Sequence, residues 1–251
     1  EISGFKSQQC RWAKGAMQTC KKALPKILKG DYRPIEKMEA WYHLTGNLTY
    51  PLMVLLALLL FPALIVRYNQ GWFELITIDL PLFILSFSSV ATFYITSQKA
   101  LHKNWIKRIA YIPGLMAVGI GMTLPGSKAV LEGAFGVKSP FVRTPKFSVE
   151  GKRAEWMDKK YRCSIGFLTI LEIAFGAYFT LVTVYAWNQG IYAIIPFLML
   201  FQFGYLYTGL WAFAQNLKRI IPGNMRDRFL ASLHLSYRRS LNSYRRMTNY
   251  E

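Results

Sequence analysis

The sequence predicts an all-α membrane protein, with about four transmembrane helices and additional interfacial amphipathic helices. Three observations carry this. Of the 251 residues, 53% are hydrophobic and 16% aromatic. Uncharged or nearly uncharged runs fall at 48–66, 80–98, 163–186 and 191–215, each close to the roughly 20 residues that cross about 30 Å of hydrocarbon. The chain also carries 31 Lys+Arg against 13 Asp+Glu, a formal net charge of +18. Apolar spans joined by basic loops reconcile the two compositions. Nucleic-acid binding is the rival explanation of such a charge. A soluble nucleic-acid binder has no use for the long apolar runs, so no nucleic-acid partner is expected.

Five segments follow. Residues 1–47 form an interfacial region. Its first helix, 1–30, carries Lys6, Arg11, Lys14, Lys21, Lys22, Lys26 and Lys29, with Trp12, Ala16, Met17, Leu24, Ile27 and Leu28 as apolar groups. That pattern suits anionic headgroups, so membrane lipids are expected partners. Pro25 is expected to kink or end the helix, and Gly30-Asp31 to turn the chain. A short helix over 34–47 then leads into the membrane. Segment 48–98 holds the first two spans. Within 99–162, the stretch 109–127 is long and uncharged but holds Pro113, Pro125 and four glycines. Residues 104–136 are therefore expected to form a broken interfacial helix or hairpin. Residues 163–215 hold two further spans around a tight turn at 187–190, and 216–251 is a basic tail.

Charge orders these spans. Lys and Arg number nine in 1–47, thirteen in 99–162 and eight in 214–251, leaving Arg67 alone in the outer loops. The positive-inside rule then sets both ends of the chain on the cytoplasmic side of a plasma or inner membrane. A fifth crossing at 109–127 would carry the basic 138–162 loop to the other side.

The stretch Gln8-Gln9-Cys10-Arg11-Trp12 is the sharpest candidate site. Gln8, Arg11 and Trp12 fall at i, i+3 and i+4 and share one face of a helix. A guanidinium can fork onto a diphosphate, an amide can donate beside it, and an indole can stack on a sugar ring. An ordinary basic amphipathic helix with an interfacial Trp explains the same residues. No metal ligand set is legible. Cys10, Cys20 and Cys163 form no C-x-x-C, and three His give no zinc pattern.

QQCRWAKG resembles the Q-x-x-R-W signature of membrane-embedded family-2 glycosyltransferases, the cellulose synthase-like group. Phe141-Val142-Arg143-Thr144-Pro145-Lys146, between the second and third spans, resembles that family's gating loop, with Arg143 where Val is usual. The resemblance implies that Gln8 and Arg11 face the nucleotide diphosphate and that Trp12 helps form the acceptor site. It implies that Phe141, Thr144 and Lys146 contact the bound nucleotide. Read without it, the 138–162 stretch is equally a solvated basic loop on lipid headgroups. Glu172 is the one acid inside a span. It must face protein or a wet cavity, as part of a glycan path or as a hydrogen-bonded packing residue.

Inverting glycosyl transfer needs a carboxylate base and an acid-bound metal, and this sequence holds neither D-x-D nor T-E-D. No catalytic residue is therefore assigned within 1–251. Mg2+ or Mn2+ and the base are expected in an α/β nucleotide-binding domain preceding this stretch in a longer chain. The expected activity is hexosyl transfer from a nucleotide-diphosphate sugar to a polysaccharide or lipid-linked acceptor at the cytoplasmic face, with translocation of the product in processive members. A small transporter or channel, or the membrane anchor of a partner enzyme, are the alternatives.

Overall fold

The computed structural model describes residues 2–71, 76–138 and 166–220. Among them the chain is helical, with no strand. The helices are α1 (Ile2–Lys29), α2 (Pro34–Thr45), α3 (Thr49–Asn69), α4 (Ile76–Leu101), α5 (Trp105–Ile109), α6 (Ile112–Gly121), α7 (Thr123–Phe135), α8 (Phe167–Asn188) and α9 (Ile195–Ile220). A 3-10 turn, Gly46–Leu48, joins α2 to α3, and another, Tyr192–Ile194, precedes α9.

Among the described residues, three stretches are long and apolar enough to cross a membrane: Pro34–Asn69, Phe167–Asn188 and Tyr192–Gln215. The pair Trp105–Gly121 and Thr123–Phe135, bent by 45°, makes up to a fourth. The expected second span, 80–98, lies inside α4, a helix of 26 residues.

Helices α8 and α9 pair side by side, antiparallel after the turn at Gly190, whose φ of 72° is left-handed. Gly176 lets α8 approach the Leu206 side chain, and Gly209 lets α9 approach Ile173. The core then forms around Phe179, which stacks on Phe201 at 4.8 Å and on Tyr205 at 5.9 Å. Ala57 and Leu64 of α3 and Ile120 and Leu124 of α6–α7 close it. On the α3 side, Phe61 meets Tyr178 and Tyr185 edge-on, and the Tyr178 hydroxyl donates to the Leu58 carbonyl at 3.2 Å.

One local expectation changes: Pro25 does not end α1, which runs through it to Lys29. The end comes at Gly30, whose N–H donates to the Lys26 carbonyl at 2.9 Å and which leaves room for the Tyr32 ring. The 104–136 region is broken, into α5, α6 and α7. Its middle is closely packed: Ile112, Ala117, Ile120, Met122, Leu124, Ala129 and Val130 are buried, while Ile106 of α5 and Phe135 at the end of α7 are exposed. Pro113 sits in the first turn of α6 and Pro125 near the start of α7, where a missing N–H costs little. The glycines are contact points. Gly121 and Gly204 bring α6 against α9, Gly126 admits the Tyr50 ring, and Gly133 admits Lys14 and Met17 of α1. Proline and glycine that read as signs of weakness in sequence here permit close packing.

At the α6–α9 crossing a Cβ on Gly204 would collide with the Ala117 carbonyl oxygen, a backbone atom that cannot turn aside. Gly204→Leu is expected to cost about 3 kcal/mol, read as a lower midpoint of heat unfolding in detergent. Gly119→Ala, where nothing lies within 4 Å, should leave the midpoint unchanged.

Candidate functional site

Helix α1 is two-faced because its small and apolar residues recur at helical spacing. Positions 3, 6, 10, 13, 17 and 20 advance by three or four and lie along one side. Ser3, Ala13 and Cys20 on that side are buried. Ala13 packs with Ala129 and Val130 of α7, flanked by Cys10, Met17, Leu48 and Tyr50. Helix α7 runs in the same direction as α1. Lys14 pairs with Glu132 at 2.9 Å, and the Lys21 ammonium donates to the Ala134 carbonyl at 2.9 Å. Helix α7 ends at Gly136, in the left-handed region at φ 73°, and the Val137 N–H donates to the Glu132 carbonyl at 2.9 Å.

At 100° per residue, Gln8 and Trp12 project from the side of α1 opposite its packed face. Arg11 lies at the edge of that outward side. Helical geometry therefore puts the three candidate residues on one face, turned away from the contact of Ala13 with α7. Trp12 is 60% exposed, and Gln8 and Arg11 are half-buried. Phe141, Thr144 and Lys146 lie outside the described residues.

Glu172 lies one turn into α8 and is 1% exposed. It occupies the packed seam where α1 meets α8 and α9. The Lys6 ammonium reaches its Oε2 at 2.5 Å and also donates to the Thr208 carbonyl at 3.0 Å. Oε1 of Glu172 is buried with no hydrogen-bond partner among the described residues. Ser3 adds a contact to Gln215 at 3.3 Å.

The sequence singled out Glu172 but not Lys6, Ser3 or Thr208. A charge in a span signals that a partner exists. It does not say which of the nine cations in 1–47 is that partner. Of the aromatics on α8 and α9, which could also stack on sugar rings, Tyr205 is buried in the core and Tyr178 and Tyr185 pack half-buried against it. Phe203, Tyr207 and Trp211 stack in series along the outside of α9, with ring centroids 5.6 and 6.1 Å apart.

Among the described residues no three His, Cys, Asp or Glu side chains converge. These residues offer no donor set for Mg2+ or Mn2+. Cys10 is no nucleophile at neutral pH, because burial pushes its thiol up to about 11. Its alkylation by iodoacetamide at pH 8 is expected to be far slower than that of a free thiol. The rate should climb as pH approaches 11, since the thiolate is the reacting form. A rate matching free cysteine at pH 8 would overturn the buried placement.

Comparison with models of known families, with curated proteins and with solved structures gives no match.

Proposed function

We propose that this chain is the membrane portion of a family-2, cellulose synthase-like glycosyltransferase. One observation carries the reading: Gln8, Arg11 and Trp12 stand together on the outward face of α1, while its opposite face is locked against the bundle. A nucleotide diphosphate approaching that face would meet the Arg11 guanidinium and the Gln8 amide. These stabilise the charge that builds as the diphosphate departs. Trp12 offers a flat apolar surface on which the acceptor sugar is oriented. The catalytic base and the metal belong to a nucleotide-binding domain outside this stretch.

In this reading α1 lies at the cytoplasmic surface, α3, α4, α8 and α9 cross the membrane, and α5–α7 form a re-entrant hub that does not cross. Basic residues then stay on one side, in keeping with the charge distribution. The transporter reading is disfavoured because Glu172, the intramembrane acid on which it rests, is closed off by Lys6. The anchor reading requires nothing of Gln8, Arg11 and Trp12 beyond solubility.

The test is turnover of radiolabelled nucleotide sugars by the full-length protein in membrane vesicles. Trp12→Ala is expected to lower kcat/KM for the acceptor by about 10- to 100-fold, equivalent to about 1–3 kcal/mol of lost stacking. Donor binding should stay within about threefold. Unchanged acceptor kinetics would remove Trp12 from the site.

A further inference from the structure

We infer that Lys6, Glu172 and Thr208 form a positioning device that sets the rotation and depth of the first turns of α1, and so aims Gln8, Arg11 and Trp12. The activity arm of the test rests on the proposed function; the structural arm does not.

Helix α1 is held at two places. Over residues 10–21 it lies on α7, with Ala13 on Ala129, Met17 at Gly133, Lys14 paired with Glu132 and Lys21 donating to the Ala134 carbonyl. At the start of α1 the polar ties go to the spans: Ser3 to Gln215, and Lys6 to Glu172 and to the Thr208 carbonyl. Lys6 is 166 residues from Glu172 and 202 from Thr208 in sequence, and the contacts join three helices at one atom.

A charge pair of this kind is directional. The Glu172 carboxylate is 1% exposed, so it cannot follow Lys6 if α1 turns. Rotation of α1 by one residue step, 100°, would carry Lys6 off the seam and leave the carboxylate with no partner. The same turn would carry Gln8 and Trp12 away from their outward direction. Gln8 begins two residues after Lys6, less than one turn away, so the aim of the motif follows the seat of Lys6 closely.

Thr208 ties the device to the hub. Its hydroxyl sits 3.4 Å from the Gly121 carbonyl and 3.0 Å from that of Gly204. Next to it, Tyr205 and Thr123 share a hydrogen bond of 2.9 Å. The bend between α6 and α7 therefore registers on the same turn of α9 that receives Lys6. The motif helix and the hub that leads into 139–165 share one reference point.

Lys6→Met alone leaves a buried carboxylate unpaired and threatens folding. The informative variant is Lys6→Met with Glu172→Met, because two apolar residues of similar length fill the seam without a charge. Lys6→Arg is the conservative variant that keeps the pair. Both are made in the full chain, with Cys163→Ser and a nitroxide on Phe5→Cys for one measurement and without the probe for the other. The probe site stands on the outer half of α1, one residue before Lys6.

In the double variant the ratio of nitroxide collision rates with oxygen and with a nickel chelate is expected to shift at least threefold. Its kcat/KM for the donor sugar should fall at least tenfold while its unfolding midpoint stays near that of the parent. Lys6→Arg should keep both values within threefold. A double variant with the parent's collision ratio and the parent's kcat/KM would overturn the proposal and make the pair mere packing. If the parent turns over no nucleotide sugar, the glycosyltransferase reading falls by itself, and the collision ratio alone decides the positioning role.

Discussion

Arg11→Ala in the full-length protein is expected to lower the turnover of nucleotide sugar by about 100- to 1000-fold, the scale seen when one donor to a developing negative charge is removed. The loss should fall mainly on kcat. A guanidinium that holds a diphosphate contributes most where the leaving oxygen gains charge, and less to ground-state binding. Because Arg11 lies toward the outward side of α1, away from the seam with α7, the fold should survive the change. The unfolding midpoint in detergent is the control. Arg11→Lys keeps the charge and loses the fork, so its turnover should fall between the two. Near-normal turnover in Arg11→Ala, with the fold intact, would sink the assignment of the motif and leave the membrane-anchor reading in front.

Lys6→Met is expected to destabilise the protein by about 3–5 kcal/mol, because removing one partner strands a buried charge. The structure makes the stranding severe. Glu172 is 1% exposed, and its Oε1 is already without a partner among the described residues. Glu172→Gln should cost less, since the amide still accepts from Lys6 and carries no charge. Lys6→Met combined with Glu172→Met should recover most of the loss, and a double-mutant cycle on unfolding midpoints measures the coupling directly. Additive single effects would mean that the two side chains do not depend on each other, contrary to the observed contact.

Much of the architecture is readable without coordinates. The interval 48–66 starts one residue ahead of α3, 80–98 lies inside α4, 191–215 ends with the last apolar span, and 163–186 starts four residues ahead of α8. Hydrophobic length is a local quantity, and a bilayer imposes it on each helix separately. The shared face of Gln8, Arg11 and Trp12 is equally local, because 3.6 residues per turn brings i, i+3 and i+4 together in any helix.

What the periodicity of α1 does not say is which face the bundle takes. Lys6 and Lys14 turn inward and Lys21 reaches across to α7, although a basic amphipathic helix read by itself would turn its lysines to headgroups. They do so because Glu172, Glu132 and two carbonyls wait for them on other helices. The same blindness affects 104–136. Its glycines and prolines lower helix propensity along the chain, yet they allow backbones to approach where side chains would collide.

The helical class, the apolar spans, the gathering of Lys and Arg between those spans and the clustering of Gln8, Arg11 and Trp12 are legible in the chain alone, because each follows from residues within a few turns of one another. That α6 and α7 pack at the hub, that Gln8 and Trp12 point away from the bundle and that Glu172 pairs with Lys6 emerges only in three dimensions. Those facts depend on pairings across more than a hundred residues, where no repeat or spacing records the partner.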